Sequence, residues 1–257
     1  MTARLYYRVA RVLAHVLLGM LICAVVFPWA GLKRRNRHVR RWSRRLLGLC
    51  NVKLAPLAGE VPLAHAMVVA NHVSWLDIFV VNSVYPCLFV AKAEIRSWPM
   101  LGWLAARAGT IFIARGNRRD LRHLFTGLVD KLADGERIAF FPEGTTAAQG
   151  ALLPFHPNLF EAAIDAGVPV QPLALSYADP AGPAPAAVDF TGDVSFKHSL
   201  LAILNGAPIT ATVTCLAPLT SVGAHRRELA TAAQHAVAAA LGIANQAAAP
   251  AAAQPAG

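Results

Sequence analysis

The first 59 residues contain no aspartate or glutamate, yet they hold 12 of the chain's 24 Lys and Arg. The remaining residues carry the other 12 basic side chains against 14 acidic ones. The net charge of +10 therefore belongs to the N-terminal segment. A nucleic-acid-binding domain spreads its basic residues over a docking face, and the near-neutral balance beyond residue 60 excludes that class. Cysteine is scarce: four residues, at 23, 50, 87 and 215, with no CxxC. That spacing excludes a zinc knuckle and a disulfide framework and fits a reducing, cytoplasmic setting. Cys23 and Cys87 lie in apolar runs and are expected to be buried thiols. No GxSxG is present, so a serine elbow forming an acyl-enzyme is absent. No motif calls for a metal or a cofactor.

What the chain has is apolar surface. Of 257 residues 56% are hydrophobic, only 15% are charged, and the mean hydropathy is +0.45. This is enough for one larger domain with a sizeable core, and it suits an anchored domain better than a freely soluble one. Residues 14–32, AHVLLGMLICAVVFPWAGL, run 19 residues without a formal charge. That length just crosses a thin hydrocarbon core as a helix. KRRNRHVRRWSRR follows at 33–45 with eight Lys or Arg. Such a block favours the anionic cytoplasmic leaflet, at about 1 kcal/mol per basic residue, and would keep the rest of the chain in the cytoplasm. Pro-Trp-Ala-Gly followed by basic residues makes a poor cleavage site for a signal peptide. A spanning helix and an in-plane helix both remain open, because Arg4, Arg8 and Arg11 precede the run and Pro28 interrupts it. Residues 1–45 are thus expected to be the anchor and its basic flank, joined by a linker over 46–65.

Beyond residue 66, short apolar runs alternate with helical patterns. Strands are expected at 67–70, 87–92, 110–115, 138–141 and 170–177, with helices at 76–84, 98–108, 118–134 and 156–167. Two later segments, 186–196 and 210–217, are expected as edge strands. This alternation implies an α/β domain with a largely parallel sheet, extending to about residue 225. ADPAGPAPAAVD at 178–189 reads as a surface loop. Residues 226–257 begin as an Ala-rich helix and end in a low-complexity tail expected to be disordered.

The chemistry gathers where the strands end, which is where open α/β sheets collect their ligands. Asn71 and His72 follow the strand at 67–70, and Asp77 comes five residues after the histidine. Residues five apart on one helix diverge by about 140°. The two can meet only if His72 precedes the helix and Asp77 lies in its first turn. An Asp bonded to one imidazole nitrogen fixes the tautomer and frees the other nitrogen to take a proton. The structural alternative is a capping-box pattern, with Ser74 as N-cap and Asp77 three residues on. TIFIAR ends in Arg115. IAFF runs into Pro142-Glu143-Gly144-Thr145-Thr146. Each has an ordinary reading as a surface charge or a turn residue, but together they bring a base, an acid and a guanidinium to one edge.

NHVSWLD (71–77) resembles the NHxxxxD block of the glycerolipid acyltransferases, the 1-acylglycerol-3-phosphate acyltransferase family. GTIFIAR (109–115), FPEGTT (141–146) and VPVQP (168–172) resemble its other three blocks in order, across roughly residues 60–180. The resemblance implies a mixed sheet flanked by helices with an N-terminal helical membrane anchor. His72 would be the general base and Asp77 its support. Acyl-CoA or acyl carrier protein would donate the chain, and a lysolipid hydroxyl would attack the thioester directly. Asn71, Lys92, Arg115, Glu143, Gly144 and Thr145 would bind substrate, with Arg115 on an anionic group of the acceptor. The expected reaction forms phosphatidate at the cytoplasmic face of the cell's inner membrane. One departure matters: Thr146 stands where phosphate-acceptor members commonly carry Arg. That favours an alternative acceptor, lyso-ornithine lipid, an aminolipid without phosphate. A non-catalytic lipid-binding protein on the same fold is the alternative of a different class, and it would need no base.

Overall fold

A computed structural model describes residues 2–113, 118–179 and 186–243, the side chains of 118–124 excepted. Two helices open the chain, α1 (Ala3–Val25) and α2 (Leu32–Leu49), joined through a 3-10 turn at Phe27–Trp29. Strands β1 (Val52–Leu54), β2 (Ala58–Gly59) and β3 (Met67–Ala70) follow, then α3 (Asp77–Val84), β4 (Leu88–Lys92), α4 (Leu101–Ala108), β5 (Ile111–Ile113) and α5 (Arg118–Ala133). The chain continues through β6 (Ile138–Phe140), α6 (Glu161–Asp165), β7 (Val170–Ala178), α7 (Phe196–Asn205), β8 (Ile209–Cys215) and α8 (Arg226–Leu241).

The strands form one mixed sheet in the order β1-β8-β7-β3-β6-β4-β5, with β2 beside β8. Every pairing is parallel except β7 with β8. Side chains alternate across a strand, and both faces of the centre are covered. Val68, Ala70, Ala139, Leu173 and Leu175 join one core with α1, α2, α3 and α7. Met67, Val69, Ile138, Phe140 and Ala174 join the other with α5, α6 and α8. Two-sided burial is why β3 reads MVVA with no polar residue. Leu229, Ala230, Ala233 and Val237 of α8 belong to the second core, so the Ala-rich helix packs into the body.

Three sequence expectations give way. Residues 46–65 are no linker: Leu46 and Leu47 are buried, and β1 and β2 pair with β8. Residues 210–217 yield β8, an interior strand. Its alternation of buried Ile209, Ala211, Val213 and Cys215 with threonines reports one dry face, not a place at the edge. The 186–196 segment forms no strand: it holds a 3-10 turn at Ala186–Val188 and ends at Ser195, whose Oγ accepts from the His198 N–H and caps α7. Residues 114–117, 180–185 and 244–257 fall outside the described parts, and with them Arg115 and the tail expected to be disordered.

The N-terminal helix also differs from expectation. It begins at Ala3, so Arg4, Arg8 and Arg11 are helical, and it ends before Pro28. Its buried residues, Leu5, Val12, His15, Val16, Gly19 and Cys23, form a stripe along its whole length. His15 and Trp42 of α2 stack at 4.8 Å and exchange side-chain to main-chain hydrogen bonds. Gly19 faces the same indole, and a Cβ there would lie 2.5 Å from Trp42 Nε1. The opposite face exposes Tyr6, Leu13, Leu17, Leu21 and Val25, and Trp29 beyond it is 86% exposed. The helix is long and apolar enough to cross a membrane, but it lies along the body.

Candidate active site

Parallel strands end on the same side, so β3, β6 and β4 deliver their following loops to one edge. The turn after β3 carries His72. The carboxylate of Asp77, at the first position of α3, folds back over that turn. Its Oδ2 accepts from His72 Nδ1 at 2.7 Å, from the Val73 N–H at 2.7 Å and from the Ser74 N–H at 2.8 Å. Half of the capping-box pattern is therefore present, and the same oxygen meets the imidazole. Asp77 is fully buried while the His72 side chain is 19% exposed. An ionised carboxylate only accepts, so Nδ1 carries the proton and the lone pair falls to Nε2. The Asp77 Oδ1 accepts the Tyr177 O–H from β7.

The loop after β6 holds the histidine from the other side. Phe141 stacks on the imidazole at 3.9 Å with the planes 5° apart. Glu143 Oε1 accepts the His72 N–H at 2.7 Å, Glu143 Oε2 accepts the Leu153 N–H at 2.8 Å, and the Ala147 N–H donates to the His72 carbonyl at 2.8 Å. Glu143 is 3% exposed. Burial pushes its carboxyl up to about 7, although the bonds from Leu153 and His72 pull the other way. A raised folded-state value means the native protein holds a proton that the unfolded chain releases. Glu143 therefore adds stability that is full below about pH 4.5 and is lost as pH rises through about 7, a change of about 3 kcal/mol. Thermal melts of wild type and Glu143→Gln from pH 4.5 to 8 should show the wild type's advantage shrinking with pH; a constant gap would refute the assignment.

The remaining expected residues divide. Buried Asn71 uses both ends of its amide on Leu175: Nδ2 donates to the carbonyl at 3.0 Å, and Oδ1 accepts the N–H at 2.8 Å. Lys92 is exposed at the end of β4. Gly144 (φ 68°) and Thr145 are exposed at the turn beyond Glu143, and a Cβ on Gly144 would touch the His156 ring at 3.4 Å. Thr146 donates its hydroxyl to the Phe190 carbonyl. Sequence reading missed Tyr177, Phe141 and Gln149. Tyr177 had one available signal: it shares the strand parity of Leu173 and Leu175, which face α3. Among the described residues no group of His, Cys, Asp and Glu could hold a metal.

Residues 58–176 match the sequence profile of the family described as Acyltransferase. A lyso-ornithine lipid O-acyltransferase of Pseudomonas aeruginosa is 39% identical over 244 residues, 91% of this chain and 92% of that protein. A 1-acyl-sn-glycerol-3-phosphate acyltransferase of Neisseria meningitidis is 40% identical over 182 residues, 70% of each chain. The crystal structure of the 1-acyl-sn-glycerophosphate acyltransferase PlsC from Thermotoga maritima superposes with a TM-score of 0.60 at 20% identity, over 91% of this chain and 96% of that one, and so shares the fold. With a His–Asp pair at the strand ends of that fold and near end-to-end similarity to a lysolipid-acylating enzyme, the chain belongs to the acyltransferase family and is an acyltransferase.

Proposed function

We propose that this protein transfers an acyl chain from acyl-CoA or acyl carrier protein to the free hydroxyl of 1-acylglycerol-3-phosphate, forming phosphatidate. The observation that carries the reading is the His72–Asp77 pair, which leaves Nε2 as the basic nitrogen of a partly exposed ring. Nε2 takes the hydroxyl proton as the acceptor oxygen attacks the thioester carbonyl. The new C–O bond forms, the C–S bond breaks, and the proton passes to the departing thiolate. Asp77 fixes the tautomer and supports the imidazolium, while the stacked Phe141 limits rotation of the ring. Asn71 and Glu143 act as positioning residues, because their polar atoms are engaged with the main chain of Leu175, His72 and Leu153. Gly144 and Thr145 meet the acceptor's head, and Lys92 and Arg115 supply positive charge for its phosphate.

The anchor lies in the plane of the cytoplasmic leaflet of the inner membrane. A helix packed along the body from Leu5 to Cys23 cannot cross a bilayer without drawing the domain in, whereas its exposed apolar face suits the acyl boundary. The exposed Lys33, Arg34, Arg37, Arg41 and Arg45 face anionic headgroups. Arg40 and Arg44 serve the fold instead, donating to the Val84 and Ser83 carbonyls at the C-terminal end of α3.

A second acceptor, lyso-ornithine lipid, is favoured by Thr146, whose hydroxyl is tied to Phe190 and brings no guanidinium. The protein in vesicles, given acyl-CoA or acyl carrier protein with either lysolipid, should acylate lysophosphatidate, and Thr146→Arg should lower its KM. Transfer to the aminolipid alone would establish the second reading.

A further inference from the structure

We propose that Tyr177 is the third member of the His72–Asp77 pair, a positioning residue whose phenol holds Asp77 Oδ1 so that Oδ2 stays aimed at the imidazole. The assignment rests on the reading of His72 as base. Three observations carry it. The Tyr177 O–H donates to Asp77 Oδ1, and both groups are buried, Tyr177 at 2% exposure. Oδ2 already receives three donors, so the phenol supplies the contact on the other oxygen and fixes the rotation of the carboxylate about its own axis. The tyrosine is itself held. The pairing of β7 with β3 stops at Ala70 opposite Leu173, and two side-chain amides then replace the missing strand. Asn71 takes the N–H and the carbonyl of Leu175. Gln149 takes those of Tyr177, its Oε1 accepting the Tyr177 N–H at 2.7 Å and its Nε2 donating to the Tyr177 carbonyl. Gln149 comes from the loop that also carries Glu143, so β7 and the loop behind His72 are locked in one register.

A hydrogen bond donated to an ionised carboxylate disperses its charge and steadies its direction. Loss of the phenol leaves Asp77 more basic and less well aimed. A more basic partner favours the charged imidazole, and the base needs the neutral one. The acid limb of the rate profile should therefore move to higher pH. Among the described residues the other titratable group in contact with the pair is Glu143, from the loop after β6, and it is the same in wild type and variant. Burial and the neighbouring Asp77 hold the Tyr177 phenol well above its ordinary value, so it remains a donor throughout.

The test is steady-state acyl transfer in vesicles with lysophosphatidate and acyl-CoA, normalised to folded protein, for wild type, Tyr177→Phe, Asp77→Asn, the double variant and His72→Ala. Tyr177→Phe is expected to lower kcat about ten-fold with KM nearly unchanged. It should also raise the acid limb of kcat/KM by about half a pH unit. In the Asp77→Asn background the same change should cost less than about two-fold, because its effect runs through that carboxylate. An unchanged kcat, a loss seen only in KM, or equal losses in both backgrounds would overturn the assignment. His72→Ala separates the two readings. An inactive His72→Ala beside a wild-type-like Tyr177→Phe removes only the tyrosine's role, whereas an active His72→Ala removes the base and this proposal with it.

Discussion

Alanine at position 72 should reduce kcat/KM by about 10³-fold, within the 10²–10⁴ that a positioned general base contributes, while leaving the protein folded. The imidazole is partly exposed and stacks on Phe141, and among the described residues its side-chain hydrogen bond goes to Asp77. Removing it leaves the Asp77 carboxylate with the Val73 and Ser74 N–H groups and the Tyr177 hydroxyl, so no bare charge is created. The main-chain bonds of residue 72 to Glu143 and Ala147 need no side chain and should persist in the variant. Stability should therefore change by no more than about 1 kcal/mol. The check is acyl transfer in vesicles beside a thermal melt. Wild-type turnover by His72→Ala would refute the base. A collapsed melt would mean that the side chain serves the fold.

The central sheet was legible because its strands are dry on both faces and short. Runs such as Met67–Ala70 and Ile138–Phe140 admit few other readings once helical patterns lie between them. The His–Asp geometry was legible for a related reason: only a strand–turn–helix corner brings residues five apart together. The periphery was not. Val52–Leu54 and Ala58–Gly59 are too short to show a period, and they exist as strands because β8 offers them a hydrogen-bonding edge. The basic segment misled in part. Charge suggested a flank given over to anionic lipid, yet Arg40 and Arg44 cap α3, and Trp42 fills the space over Gly19. The partners of Tyr177 and Gln149 were hidden for a stronger reason. They lie 100 and 28 residues away, and strand periodicity says which face a residue takes but not whom it meets.

Asp77 is where fold and chemistry share one group, and two substitutions should separate them. Asp77→Ala removes the acceptor for two main-chain N–H groups at the entry of α3 and for a buried phenol. Each buried donor left without a partner costs about 1–3 kcal/mol, so the variant should lose about 4 kcal/mol and about 10 °C in Tm. Asp77→Asn keeps one oxygen in the place of Oδ2 for Val73 and Ser74. Its NH₂ takes the place of Oδ1, where the Tyr177 hydroxyl can rotate and accept instead of donating. That variant should lose only about 1 kcal/mol. Both should lose at least about 10²-fold in kcat, because a neutral amide cannot support the imidazolium that forms as the acceptor hydroxyl gives up its proton. Melts and single-turnover rates on the same preparations decide the matter. Asp77→Asn with near-wild-type kcat would reduce Asp77 to a helix cap. Asp77→Ala as stable as wild type would remove the cap and leave the carboxylate a purely chemical role.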